Sequence, residues 1–74
     1  MKVYSEATQR TYDDSDAVFY RNITQVAWML QKPDSVILDV FESNGKLVIA
    51  FPRELHKKYI GEWVARKHDG DIDV

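Results

Sequence analysis

The residues able to do chemistry in this 74-residue chain are two histidines, twelve carboxylates and four serines, with no cysteine. The missing thiol rules out disulfides, thiolate zinc sites, iron–sulfur clusters and cysteine nucleophiles. His56 and His68 stand twelve residues apart on what reads as one helix, about 18 Å at 1.5 Å per residue, too far to share a metal ion. His56 falls inside an apolar arc and reads as a half-buried packing residue. Asp69, Asp71 and Asp73 around Gly70 imitate the start of a calcium loop but lack its later ligands, so a flexible acidic tail over 69–74 is expected. None of Ser5, Ser15, Ser35 or Ser43 sits in a nucleophile-elbow setting, and the glycines at 45, 61 and 70 are isolated, so no phosphate-cradling loop exists. Among the carboxylates, Asp13/Asp14 and Asp39 near Glu42 lie close in sequence. A working acid–base pair needs a cleft that drives two pKa values apart, and so short a chain has little depth for one. Asp39 is the best single candidate, because its neighbours are apolar. The simpler reading, which we prefer, is a charge that blunts sheet-to-sheet aggregation. The expectation is a non-enzyme with no cofactor and no metal.

A second kind of chemistry is binding to phosphate. Arg53, Lys57, Lys58 and Lys67 put a basic face on the C-terminal helix, and residues 53–68 sum to +3, between an N-terminal segment 1–16 of −2 and a tail of −3. Nucleic-acid binding through these four residues is the alternative function. Against it stand the pI of about 5.5 and the position of Tyr59 and Trp63 on the arc facing the core, where they cannot stack on bases. No helix-turn-helix spacing is present.

The elements that position these residues follow from local patterns. Val3-Tyr4 is β-prone, but Ser5 to Thr11 has no firm period, so residues 1–16 are left between a strand and a wandering segment. Tyr12 to Asp16 is loop chemistry, since Asp and Ser compete for backbone hydrogen bonds. Ala17 to Tyr20 is a short strand. Asn22 is a helix N-cap with Gln25 as its capping partner, and Pro33 ends that helix near Lys32. Its apolar face reads as Ile23, Val26, Ala27 and Leu30, with Met29 at the edge and Trp28 turned away. Ser35 to Ser43 and Lys46 to Phe51 are strands joined by Asn44-Gly45, the pair a two-residue type I′ turn requires. Pro52 opens the last helix, whose arc is Leu55, Tyr59, Ile60, Trp63 and Val64.

That turn pairs Ser43 with Lys46 and sorts the hairpin into two faces. Leu38, Val40, Leu47, Ile49 and Phe51 form the face expected beneath the helices; Ile37, Asp39, Phe41, Val48 and Ala50 form the other. Both are apolar, whereas a sheet with one open face should alternate apolar with polar. Either residues 1–16 cover the second face through Val3, Tyr4 and Tyr12, or it is an interface. We prefer the interface, with Trp28, Ile37, Phe41, Val48 and Ala50 as its contact residues for a second copy or a foreign protein.

The run Val18-Phe19-Tyr20-Arg21-Asn22, then Gln25 to Leu30, Val36 to Val40, Leu47 to Phe51 and the closing helix resembles a group of small uncharacterised proteins of phages and mobile elements of Gram-positive bacteria. They share a β-α-β-β-α layout, and the likeness spans roughly residues 17–67. The resemblance implies a non-enzymatic accessory or inhibitor-like factor that acts by binding a host or phage protein.

Length and composition frame these readings. Hydrophobic residues make up 45% and charged residues 30%, a globular balance with room for one domain over 1–74. No apolar run approaches the roughly 20 residues of a membrane span, and Met1 to Glu6 shows no signal-peptide core, so a cytoplasmic location is expected. The fold class expected is α+β: a small antiparallel sheet of about three strands with two helices packed on one face.

Overall fold

The computed structural model describes residues 1–68, with side chains described through Ala65; the expected acidic tail and the Lys67 side chain lie outside the described residues. Two strands, β1 (Lys2–Ser5) and β2 (Arg10–Asp13), form a hairpin of their own. After one 3-10 turn at Asp14–Asp16 come β3 (Ala17–Tyr20), α1 (Ile23–Leu30), β4 (Asp39–Ser43), β5 (Lys46–Pro52) and α2 (Arg53–His68). The main sheet is antiparallel in the order β3-β5-β4, with both helices on one face. The α+β class with about three strands and two helices is therefore what the chain forms.

Local chemistry sets several of these boundaries. Asn44 and Gly45 both adopt positive φ, 53° and 78°, and Ser43 pairs with Lys46 as the two-residue turn demands. The Glu42 carboxylate closes the turn by accepting from the Gly45 amide. Asn22 Oδ1 accepts from the amides of Thr24 and Gln25, so the cap satisfies two donors at the start of α1. In the 12–16 stretch, Asp13 Oδ1 takes both the amide and the hydroxyl of Ser15, which folds the 3-10 turn. Pro52 ends β5 instead of opening the helix, which starts at Arg53.

Beneath the helices, Val18, Tyr20, Val40, Ile49 and Phe51 meet Val26, Trp28 and Met29 from α1 and Leu55, Tyr59 and Trp63 from α2. Three expectations are corrected here. First, α1 is turned by roughly a third of a turn from the expected face. Val26, Trp28 and Met29 are buried, while Ile23, Ala27 and Leu30 are exposed. Burying an indole removes more apolar area than burying either aliphatic chain. Trp28 finds Trp63 at 5.1 Å between ring centroids, and Lys32 lies over its outer side at 4.7 Å. Second, the strand expected from Ser35 begins only at Asp39. Third, the faces exchange at Leu38. Asp39 pairs with Ala50 in the ladder, and the Leu38 amide also reaches the Ala50 carbonyl at 2.8 Å, so two residues stand opposite one, as in a β-bulge. The extra residue sends Ile37 to the helix side and Leu38 to the other face.

On that second face, the β1–β2 hairpin covers one end. Tyr12, with Val3 beside it, packs on Ala17, Ala50 and Leu38, while Tyr4 points outward. The covering by residues 1–16, set aside in favour of an open interface, is thus present over this end of the face.

Candidate functional site

Two features share the second sheet face. The first lies under the hairpin. Asp39, expected on an open surface as an aggregation-blunting charge, is 5% exposed. Its Oδ1 accepts from Ser5 Oγ at 2.6 Å and from the Val40 amide at 2.8 Å; its Oδ2 accepts from the Tyr12 hydroxyl at 2.8 Å. Ser5 in turn accepts from the Thr8 amide at 3.1 Å, and Thr8 Oγ1 donates to the Leu38 carbonyl at 3.3 Å. The register counted from the Asn44-Gly45 turn, which sets Asp39 opposite Ala50, aims it into this space. Burial, reinforced by the bond to Asp39, pushes the Tyr12 phenol up to about 12. With donors on both oxygens, Asp39 fastens the hairpin to the sheet. Ser5 and Tyr12 were not singled out as its partners from sequence, because nothing local marks a contact across 34 or 27 residues.

The second feature lies beyond the hairpin's reach. Phe19 on β3 and Phe41 on β4 flank Val48 of the central strand. Their rings meet edge to face, centroids 6.0 Å apart at 71°. Val48 is fully buried, while Phe19 and Phe41 remain 36% and 37% exposed. The ladder explains the meeting: Phe41 stands opposite Val48, and Phe19 stands opposite Ala50 one step along the same face.

Of the five residues expected at an interface, the structure leaves Phe41 at the surface. Ala50 is under the hairpin, Val48 under the aromatic pair, Ile37 against the helices and Trp28 against Trp63. Phe19 joins Phe41 instead. Alternation along 17–20, which places Ala17 and Phe19 on one face, is the signal that could have found it.

The basic face is partly engaged within the fold. Arg53 donates through Nε to the Ser15 carbonyl at 3.0 Å and through Nη2 to the Ala17 carbonyl at 3.4 Å. Lys58 pairs with Asp34 at 2.8 Å, and the same carboxylate accepts from Tyr59 at 2.7 Å. These two bonds, the lysine's the larger, hold Asp34 below the usual carboxylate range. Lys57 is exposed beside a groove of about 500 Å³ that it shares with Arg53, Asp13, Asp16 and Glu54, so neither sign of charge dominates there. His56 is half-buried as expected, with Nδ1 2.8 Å from the Tyr20 hydroxyl; burial, then the nearby Arg53 charge, lowers its pKa.

Among the described residues, no group of three or more His, Cys, Asp or Glu is placed to hold a metal ion, and no helix is long and apolar enough to cross a membrane. No protein family, curated protein or solved structure matches the chain.

Proposed function

We propose that this chain is a small non-enzymatic protein-binding module whose contact point is the Phe19–Phe41 pair. The observation that carries the reading is an aromatic pair left at the surface on the second sheet face, outside the cluster that the hairpin packs on. Rigid aromatics anchored on strands lose little side-chain freedom on contact, and residues of this kind dominate the energetics of protein interfaces. The partner is a protein presenting an aliphatic or aromatic side chain to the two rings. The accessory or inhibitor-like role implied by the resemblance, in the cytoplasm, is one form of this reading.

The test does not require the natural partner. Peptides displayed as a library are selected on the wild-type chain and then re-measured on Phe41→Glu. Binders should lose at least tenfold in affinity on the variant and shift the amide resonances of Phe19, Phe41 and Val48. Binders that ignore the substitution and map elsewhere would overturn the proposal.

A further inference from the structure

We propose that Tyr20 and His56 form an acid-sensitive latch between β3 and α2, which releases when the imidazole takes up a proton. The latch stands apart from the Phe19–Phe41 pair: it lies on the helix side of the sheet, and the aromatic pair lies on the other.

Tyr20 is the last residue of β3 and is 4% exposed. Its ring packs on Phe51 at 5.0 Å and meets the His56 ring edge to face, centroids 5.7 Å apart at 79°. Its hydroxyl lies 2.8 Å from His56 Nδ1, and among the described residues it has no other hydrogen-bond partner. Burial raises the phenol's pKa, so the hydroxyl stays protonated and donates, and the neutral ring accepts at Nδ1 with its own hydrogen on Nε2. A proton added at Nδ1 reverses the bond. Nδ1–H becomes the donor, the Tyr20 oxygen must accept, and the phenolic hydrogen loses its acceptor. In a side chain this enclosed, a donor without a partner carries its full desolvation penalty.

The charges around the ring also oppose an imidazolium. Arg53 stands one turn earlier on α2 and repels a second positive charge, and Arg21, which follows Tyr20, is positive again. His56 itself sits in the first turn of α2, where the helix dipole disfavours a cation. β5 has no ionisable residue from Leu47 to Pro52, and α1 has none from Ile23 to Leu30. The carboxylates of this region are turned elsewhere: Asp34 to Lys58, Glu62 to Lys32, and Glu54 to the groove beside Tyr12 and Leu38. Burial, then Arg53, lowers the His56 pKa. The latch is therefore fully closed above the ordinary histidine value of about 6.5 and is lost as pH falls below it.

Urea unfolding of the full chain should give a midpoint that falls from pH 7 to pH 5.5. Carboxylates do not interfere in this window, because Asp13 and Asp34 are held below their ordinary range and stay ionised throughout. His56→Asn offers an amide oxygen in place of Nδ1 and takes up no proton, so its midpoint should stay flat. His68→Gln should keep the wild-type fall. In the wild type itself, the His56 ring resonances should titrate below the ordinary value of about 6.5. Amide exchange, corrected for its intrinsic pH dependence, should accelerate on acidification more in residues 17–20 and 56–63 than in β4. A flat wild-type midpoint, a fall that survives His56→Asn or vanishes in His68→Gln, a His56 ring that titrates at or above the ordinary value, or uniform acceleration of exchange would each overturn the proposal.

Discussion

The Tyr12 hydroxyl donates to Asp39 Oδ2 at 2.8 Å, joining a residue of the N-terminal hairpin to the first residue of β4. The hairpin belongs to a separate sheet, so side-chain contacts of this kind hold it over Ala17 and Ala50. Tyr12→Phe keeps the ring that packs there and removes one donor to a carboxylate. A hydrogen bond to a charged group contributes about 1.5–3 kcal/mol. Urea unfolding should show a loss in that range, and amide exchange over residues 2–13 should accelerate more than exchange in β5. Uniform acceleration across both regions would mean that the hairpin has no independent latch.

Asp39→Ala is the complementary change and should cost more than Tyr12→Phe, about 3–5 kcal/mol, because it leaves the Ser5 and Tyr12 hydroxyls buried without their acceptor. In the double variant Tyr12→Phe/Asp39→Ala the losses should fall short of additive by about 1 kcal/mol or more. Additive losses would deny the coupling.

What could be read in the residues divides along one physical line. Features set by adjacent residues were legible. Asn44-Gly45 announced its turn because both residues tolerate positive φ, and Asn22 announced its cap because its side chain mimics the missing carbonyl. The register that puts Phe41 opposite Val48 then followed by counting. Features set by distant residues were not. The inward side of β1 includes Ser5, a polar residue that is buried only because Asp39 waits 34 positions away, so the strand shows no hydrophobic period. The bulge at Leu38 answers to the Ala50 carbonyl, and nothing between Ser35 and Ser43 marks the slip. On α1 the periodicity points to the stripe of Ile23, Val26, Ala27 and Leu30, whereas the helix turns Trp28 inward onto Trp63 of another helix, a partner 35 positions away that the local pattern does not show.

The alkaline limb of stability carries a signature of Tyr12. Its folded pKa, raised to about 12 by burial and then by Asp39, lies above the ordinary tyrosine value of about 10, so folding favours the neutral phenol. That contribution is fully present below pH 10 and is lost as pH rises towards 12. Tyr20, raised by burial, and Tyr59, raised mainly by its bond to Asp34, act in the same direction. Chemical unfolding followed from pH 8 to 12 should show wild-type stability falling across the upper part of this range. Tyr12→Phe should fall less steeply. Identical slopes would show that the phenol ionises as it does in the unfolded chain.

The basic face of α2 makes a separate prediction for the alternative function. With Lys58 held by Asp34 and Arg53 turned to two carbonyls, few cations are left to follow a phosphate backbone. Mixed DNA and RNA fragments should show little binding in fluorescence anisotropy at 150 mM salt. Binding that strengthens steeply at low salt and loses about two from its salt slope in Lys57→Glu/Lys58→Glu would instead support nucleic-acid recognition.

The orientation of α1 separates two outcomes that the helix's own residues leave open. If Trp28 is inside, packed at 5.1 Å on Trp63 with Lys32 above it, Trp28→Ala removes the largest side chain of that face and leaves a cavity between two helices. The expected loss is about 3–5 kcal/mol, a large share of the stability available to so small a domain. Leu30→Ala truncates a residue that is 47% exposed and should change monomer stability by at most about 0.5 kcal/mol, with Ala the stronger helix former. Thermal melts of the two variants beside the wild type give both values. A helix rotated to bury Ile23 and Leu30 would reverse the order. Leu30→Ala would then be the damaging change, and Trp28→Ala would be tolerated.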